Sequence, residues 1–192
     1  RDNQSVSSWN LDGWVGGDDN KLWLKSEGAV AGHNTQTSEN WAMYSRNVAT
    51  FWDAQAGVRY DNRPESTSYF VAGVTGLAPY HFETEAHFFA SEDGDVSFRL
   101  REENDFLLTQ KIILQPYLEF NVFAQDVKDL DMGSGLSDAS AGLQLRYEIT
   151  RKFAPYIEVS YESLFGETAD IADAKGEHTS DSTITAGIRF MF

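Results

Sequence analysis

Apolar and polar residues alternate with a period of two along most of the chain, and helical spacing is nearly absent. In residues 141–149 the odd positions are apolar or aromatic, whereas the even positions include Gln144, Arg146 and Glu148. In residues 184–192 the even positions are all apolar, whereas the odd positions include Thr185 and Arg189. Because side chains of a strand point alternately to its two faces, this period predicts β-strands.

Eleven segments with this period follow one another, and the connections between them alternate in kind. The predicted strands are 8–17, 20–32, 39–48, 52–62, 67–77, 80–92, 95–107, 112–125, 137–150, 154–166 and 180–192. One set of connections is tight (17–20, 48–51, 78–79, 107–111 and 151–154). The other set is longer and more polar (33–38, 62–66, 92–95, 126–136 and 165–180). Tight turns at one end and polar loops at the other predict an antiparallel up-and-down arrangement.

Alternation alone does not distinguish a soluble β-sandwich or barrel from a transmembrane barrel, because one face is apolar in each. Several segments run 11–14 residues, longer than the roughly 5–6 of soluble strands and enough for the ~9–11 tilted residues that cross a bilayer. Aromatic residues such as Trp52 and Tyr147 lie near segment ends, and the last strand terminates on Phe192. We therefore predict an all-β transmembrane barrel, with residues 1–192 as a single barrel domain, and keep the soluble sandwich as the alternative.

The direction of the strands predicts one more strand than the chain contains. If Phe192 ends on the periplasmic side, the tight turns are periplasmic and the polar loops are extracellular. Bacterial barrels have even strand numbers, and eleven segments are odd. We expect the additional strand before Arg1 and twelve strands in the intact protein, with ten as the alternative if segment 8–17 is not a full strand.

The composition of the chain excludes several classes of function. The chain has 30 acidic and 15 basic residues, a net charge of −15, and no cysteine. A chain this acidic is a poor nucleic-acid binder. Disulfides, zinc–thiolate sites and thiol nucleophiles are excluded. An aromatic content of 14% is too high for a disordered acidic chain.

The polar faces of the predicted strands carry many ionisable residues, which a transmembrane barrel would enclose. The predicted interior acids are Glu27, Asp53, Asp61, Glu83, Glu85, Glu103, Asp105, Glu119, Glu148, Glu158 and Glu162. The predicted interior bases are Lys25, Arg59, Arg99, Arg101, Arg146 and Arg189. Unpaired charges in a narrow interior are costly, so most should form ion pairs. The remaining surplus of carboxylates would concentrate cations.

The candidate metal site consists of His81, Glu83, Glu85 and His87, all on one face of the predicted strand 80–92. Neighbours on that face lie about 6.6 Å apart, so His81 with Glu83, or Glu85 with His87, could share an ion, whereas the two histidines are ~20 Å apart. Imidazole and carboxylate together suit Cu(II) or Zn(II). The alternative is that these residues belong to the interior ion-pair network.

A set of short motifs, in this order and spacing, resembles the copper-resistance protein B family (CopB/PcoB). The motifs include Gly16-Gly17-Asp18, Lys21-Leu22-Trp23-Leu24-Lys25, Phe51-Trp52-Asp53, Gly57-Val58-Arg59-Tyr60-Asp61, Gly76-Leu77-Ala78-Pro79-Tyr80, Gly133-Ser134-Gly135-Leu136-Ser137-Asp138 and Phe153-Ala154-Pro155-Tyr156. The resemblance implies a bacterial outer-membrane location and a role in copper homeostasis. It also implies copper ions as the bound or transported species, with outer-membrane lipid and a periplasmic copper-binding protein as partners.

Three classes of function are consistent with these features. The predicted function is that of an outer-membrane barrel of a copper-resistance system, which binds or passes copper ions. The first alternative is a passive or structural porin-like barrel, and the second is a hydrolase at the barrel rim. The four histidines and many serines make chance pairings easy, and no nucleophile elbow is present, so we predict that the protein is not an enzyme.

Overall fold

The computed structural model describes residues 6–31, 34–63 and 66–191. Within them, eleven long strands and one short strand form a single sheet. The strands are β1 (Val6–Gly16), β2 (Asn20–Ala31), β3 (Asn34–Ala49), β4 (Trp52–Arg63), β5 (Thr67–Ala78), β6 (Phe82–Ser91), β7 (Val96–Glu103), β8 (Phe106–Leu107), β9 (Ile112–Phe123), β10 (Gly135–Tyr147), β11 (Phe153–Leu164) and β12 (Ser180–Phe190). Each of the eleven predicted segments corresponds to one long strand.

The long strands are antiparallel to their neighbours in chain order, from β1 to β12, and the short β8 pairs with β9. The sheet curls on itself, because Lys25 Nζ on β2 lies 2.7 Å from Glu85 Oε2 on β6. This confirms the predicted all-β, antiparallel, up-and-down barrel.

The twelve strands of the sheet are not the twelve that the sequence predicts, because one of them is the two-residue β8. Eleven alternating long strands leave β1 and β12 running in the same direction. Among residues 6–31, 34–63 and 66–191, no ladder joins these two strands. The additional strand before Arg1 stays a prediction, and Phe192 lies outside the described residues.

The outer face of the barrel is apolar. On neighbouring strands the register aligns Leu24 with Ala42, Ala42 with Val58, and Val58 with Phe70. The side chains of Leu24, Val58 and Phe70 are all more than half exposed. An apolar belt around a closed interior is the arrangement of transmembrane barrels.

The inner face differs from the predicted one because part of it is apolar. Five buried side chains from β3, β5 and β6 form a cluster inside the barrel: Trp41, Met43, Tyr69, Val71 and Phe89. Trp23 of β2 packs against this cluster. The predicted polar interior therefore contains an aromatic core on one side.

A short helix, α1 (Gly166–Lys175), lies in the connection between β11 and β12, where the sequence analysis predicted only a polar loop. Thr168 Oγ1 accepts a hydrogen bond of 2.9 Å from the backbone N–H of Gly133 and lies 3.0 Å from Ser137 Oγ. Lys175 Nζ lies 2.6 Å from Asp131 Oδ1. The helix is therefore fastened to the loop before β10. No helix in the described part of the chain is both long and apolar enough to cross a membrane.

Candidate functional site

The four residues of the predicted metal site do not share one strand face. His81 lies in a 3₁₀ turn, Pro79–His81, and β6 begins only at Phe82. Tyr80 and His81 have positive φ angles of 68° and 65°, and Pro79 lacks a backbone N–H, so the extended strand cannot continue through this turn. His81 is exposed at the end of the barrel where the tight turns lie.

Glu85 and His87 point into the barrel, and each already has a partner. Both carboxylate oxygens of Glu85 accept hydrogen bonds from Lys25 Nζ, at 2.9 and 2.7 Å. His87 is 2% exposed, and its Nε2 lies 2.9 Å from Gln55 Oε1. Its ring meets Trp41 edge-on at 5.7 Å between centroids. A copper ion would have to compete with these contacts.

The imidazole of His87 depends on a glycine of the neighbouring strand. A Cβ atom at Gly73 would lie 2.6 Å from His87 Cδ2, which is too close for any side chain. Gly73 therefore leaves the space into which the ring of His87 packs.

Glu83 lies at the turn end of the barrel, directly opposite Glu103 of β7. Both line a cavity of about 210 Å³, together with Thr75, Glu85 and Arg101. Within the residues that the structure describes, no group of three or more His, Cys, Asp or Glu side chains is arranged to hold a metal ion. The assignment of His81, Glu83, Glu85 and His87 as metal ligands stays a prediction.

Arg99 and Arg59 organise the charges toward the loop end of the barrel. Arg99 lies 3.5 Å from Glu39, 3.7 Å from Glu27 and 3.7 Å from Glu119. Arg59 lies 3.0 Å from Glu39 and forms two hydrogen bonds with Asp61.

Both guanidinium groups also lie on the rings of the aromatic cluster. Arg59 is 4.8 Å from the ring of Tyr69, and Arg99 is 5.6 Å from that of Phe89. The two arginines therefore join the charged layer to the aromatic core, since cation–π contacts hold a charge against an apolar surface.

Most of the predicted interior acids have a basic partner. Eight form ion pairs: Glu27, Asp53, Asp61, Glu85, Glu103, Asp105, Glu119 and Glu148. Three form none among the described residues: Glu83, Glu158 and Glu162. This is the predicted combination of a paired network with a surplus of carboxylates.

The interior also contains charged residues that parity did not assign there. Lys21 pairs with Asp53 at 2.9 Å, Glu39 pairs with Arg59, and Asp138 accepts a hydrogen bond of 2.8 Å from Asn121. The signal for two of them was present, because Lys21 has the parity of Lys25 and Asp138 has that of Arg146. For Glu39 the parity was ambiguous, since Trp41 and Met43 on the same face are apolar.

The wall formed by β10, β11 and β12, called here the open wall, is lined by smaller side chains. Two inward residues of β10, Asp138 and Arg146, are buried. Between these two levels the inward positions are half-exposed or exposed: Gly142, Gln144, Glu158, Ser160, Glu162, Thr183, Thr185 and Gly187. Glu158 accepts hydrogen bonds of 3.0 Å from Tyr117 and 3.0 Å from Gln144. Two of the three acids without an ion pair, Glu158 and Glu162, therefore lie on this wall.

A curled antiparallel sheet with an apolar outer face and a charged interior defines the class of porin-like β-barrels. A solved structure with this fold, described as "NanC porin structure in rhombohedral crystal form", superposes with a TM-score of 0.67. The superposition covers 97% of this chain and 94% of that one at 11% sequence identity. At this identity the likeness concerns the fold alone.

The sequence model described as "Copper resistance protein B precursor (CopB)" matches residues 1–192. The chain is 44% identical over 192 residues to "Copper resistance protein B" of Escherichia coli, covering 100% of this chain and 65% of the relative. It is 38% identical over 189 residues to "Copper resistance protein B homolog" of Pseudomonas syringae pv. tomato, covering 98% of this chain and 64% of the relative. The chain belongs to the copper resistance protein B family, and the resemblance inferred from its motifs is confirmed.

Proposed function

We propose that this barrel lies in the bacterial outer membrane and binds or passes copper ions as part of a copper-resistance system. The observation that carries the proposal is the surplus of interior carboxylates, because an enclosed excess of negative charge concentrates cations. Membership of the copper resistance protein B family supports copper as the cation. The proposed partners are outer-membrane lipid, copper ions and a periplasmic copper-binding protein.

The outer-membrane location is supported by the apolar outer face and by exposed aromatic residues near strand ends, including Tyr60, Tyr80, Tyr147 and Phe190. Aromatic rings are enriched where barrels meet the lipid headgroups. Fractionation of cells that express the protein tests the location. Recovery in the outer-membrane fraction supports it, whereas a monodisperse chain in buffer without detergent contradicts it.

Copper passage is tested by Cu(II) uptake into proteoliposomes that contain the intact protein. In the double variant Glu158→Gln/Glu162→Gln we expect uptake to fall about 10-fold at low ionic strength, because these carboxylates supply the local field. The control is Glu167→Gln/Glu177→Gln, which removes the same charge from the α1 connection outside the barrel. Equal uptake by the two double variants would contradict the role of the interior surplus.

The proposed copper contacts within the barrel are Glu85 and His87, with His81 and Glu83 at the turn end. Carboxylate and imidazole ligands favour Cu(II). Copper titration distinguishes a contact at the turn end from one inside the barrel. The variants compared are His81→Ala, His87→Ala and the double variant, with His178→Ala as a loop control. Loss of binding in the double variant supports the site, and unchanged binding removes it.

A passive porin is the second candidate, and the exposed side chains of the open wall favour it. Planar-bilayer recordings distinguish the two functions. Large steady currents that do not change when copper is added indicate a porin. Small currents together with saturable copper binding indicate a copper-specific role. We propose no catalytic activity, since the interior His87 is bonded to Gln55 rather than to a nucleophile.

A further inference from the structure

The interior of the barrel is filled unevenly. Inward side chains of β3 to β6 are packed tightly, with Met43 and Val71 at 0% exposed and His87 at 2%. On the opposite side, the inward residues Glu162 and Thr183 are exposed, and Thr185 is half-exposed. Solvent therefore reaches the open wall but not the side occupied by the aromatic cluster.

The exposure of the open wall is not confined to the edge of the sheet. β10 and β11 are each paired along their length with a strand on both sides. Even so, the inward residues Gln144, Glu158 and Ser160 are half-exposed, and Glu162 is exposed. The accessible space thus continues along the wall, away from the free edge of β12.

Two glycines leave room for tyrosine rings to lie against the wall rather than to extend into this space. A Cβ atom at Gly142 would lie 2.2 Å from Tyr117 Cε1, and one at Gly187 would lie 2.4 Å from Tyr156 Cζ. The rings of Tyr117 and Tyr156 therefore lie flat over these glycines. These two rings, from β9 and β11, occupy the space next to the glycines, where any other residue would place a side chain.

We propose that the water-filled route through the barrel runs off-centre, along the open wall, and that it takes hydrated cations. Glu158 and Glu162 attract cations, and the hydroxyl groups of Ser160, Thr183 and Thr185 can contact their hydration shells. Neither imidazole nor thioether groups lie on this wall among the described residues, so its carboxylates and hydroxyl groups are the groups that a passing ion meets. The basic groups at the inward positions of the described part of this wall are Arg146 and Arg189, both near the turn end, and Arg146 is paired with Asp105 at 2.7 Å.

The absence of cysteine from the sequence makes the route directly testable. Ser160→Cys places a thiol on the open wall, and Ser45→Cys places the same substitution on the packed side, where Ser45 is 0% exposed. Both serines point inward. A positively charged, membrane-impermeant methanethiosulfonate is applied to the folded protein in bilayers, modification is followed by mass spectrometry, and potassium current is recorded.

We expect Ser160→Cys to react quickly and to lose most of its current, while Ser45→Cys stays unmodified. A negatively charged methanethiosulfonate should react more slowly with Ser160→Cys, because the wall carries excess negative charge. Gln55→Cys replaces Ser45→Cys if that variant does not fold. If no current is measurable, the modification rates alone decide.

Equal modification rates at the two positions, or full modification of Ser160→Cys without loss of current, would overturn the route. The choice of copper as cargo rests on the proposed function, but the route does not. If modification blocks potassium current but the unmodified protein neither takes up nor binds copper, the route stands and the proposed function fails. If neither thiol reacts, the route fails whatever the copper measurements show.

Discussion

Arg99 contacts more carboxylates than any other basic residue in the described part of the chain. Its guanidinium lies 3.5–3.7 Å from Glu27, Glu39 and Glu119, and it also stacks on Trp41 and Phe89. Removing it would leave three carboxylates without their shared counter-charge. The residue therefore links charge balance in the interior to packing of the aromatic cluster.

We expect Arg99→Gln to lower the free energy of unfolding by about 3 kcal/mol, the lower end of the range for breaking buried pairs, because the guanidinium is partly exposed. Urea unfolding in detergent micelles measures the change. The control is Arg189→Gln, which removes an arginine that forms no ion pair within the described residues and should change stability little. A comparable loss of stability in both variants would mean that net charge, rather than the ion pairs of Arg99, determines the stability.

Gly142 lies directly beneath the ring of Tyr117. Any side chain at this position must displace the ring of Tyr117, so we expect Gly142→Ala to destabilise the barrel by about 1–3 kcal/mol. A Cβ atom at Gly13 of β1 meets nothing within 4 Å, and Gly13→Ala should instead add about 0.5 kcal/mol. The melting temperatures of the two variants are compared by thermal unfolding. Equal melting temperatures would contradict the contact between Gly142 and Tyr117.

Parity in the sequence was enough to place most charged residues inside the barrel, including Lys25, Arg99 and Glu158. It failed where a face is mixed, as on β3, where Trp41 and Met43 lie on the same inner face as Glu39. Pairing between distant strands, such as Lys25 with Glu85, depends on how the sheet curls. No local pattern encodes that curvature.

At the scale of elements, the two-residue period predicted all eleven long strands because one face of each strand is apolar along most of its length. It did not predict α1. The helix 166–175 is polar on most sides and buries mainly Thr168 and Ala172, so it lacks the apolar stripe that identifies helices. The available signal was Gly176, which ends the helix with a φ of 75°.

The attachment of α1 is tested by Thr168→Val. This substitution leaves the Gly133 N–H without its partner, at a cost of about 1–3 kcal/mol for a buried group. It also removes the contact of Thr168 with the Ser137 hydroxyl, which keeps its hydrogen bond to Met132 Sδ. We expect trypsin to cleave after Lys175 faster than in the wild type while the strands stay intact. Thr179→Val, the same substitution elsewhere in this connection, should leave the cleavage rate unchanged, and equal acceleration in both would refute the attachment.

For the whole molecule, the orientation of the two faces can be tested at adjacent positions. Leu143 points outward near the middle of β10, and Gln144 points inward beside Glu158. Leu143→Arg should destabilise the folded barrel in bilayers by about 2–4 kcal/mol, since arginine is costly at the bilayer midplane. Gln144→Arg should fold normally, because it acquires a carboxylate partner. The folded fraction of each variant in lipid vesicles is the measurement. If Gln144→Arg were the more destabilised variant, the assignment of inner and outer faces would be reversed.

The sequence predicted the class of the fold and the family, because alternation and ordered motifs extend over the entire chain. It could not predict that one half of the interior is packed and the other half is open. That division depends on where Gly142 and Gly187 meet the rings of Tyr117 and Tyr156 across strands. Such contacts are set by register, which short-range patterns do not specify.

The one-sided aromatic core also has a mechanical consequence. Strands β3 to β6 are stabilised by side chains packed inside the barrel, whereas β11, β12 and β1 are held mainly by their backbone hydrogen bonds. Local opening begins where such packing is weakest. We expect amide hydrogens of β11, β12 and β1 to exchange with deuterium sooner than those of β3 to β6, as measured by mass spectrometry in micelles. Uniform exchange around the barrel would contradict this. In a bilayer that deforms the barrel, we therefore expect the strands β11, β12 and β1 to change shape more than β3 to β6.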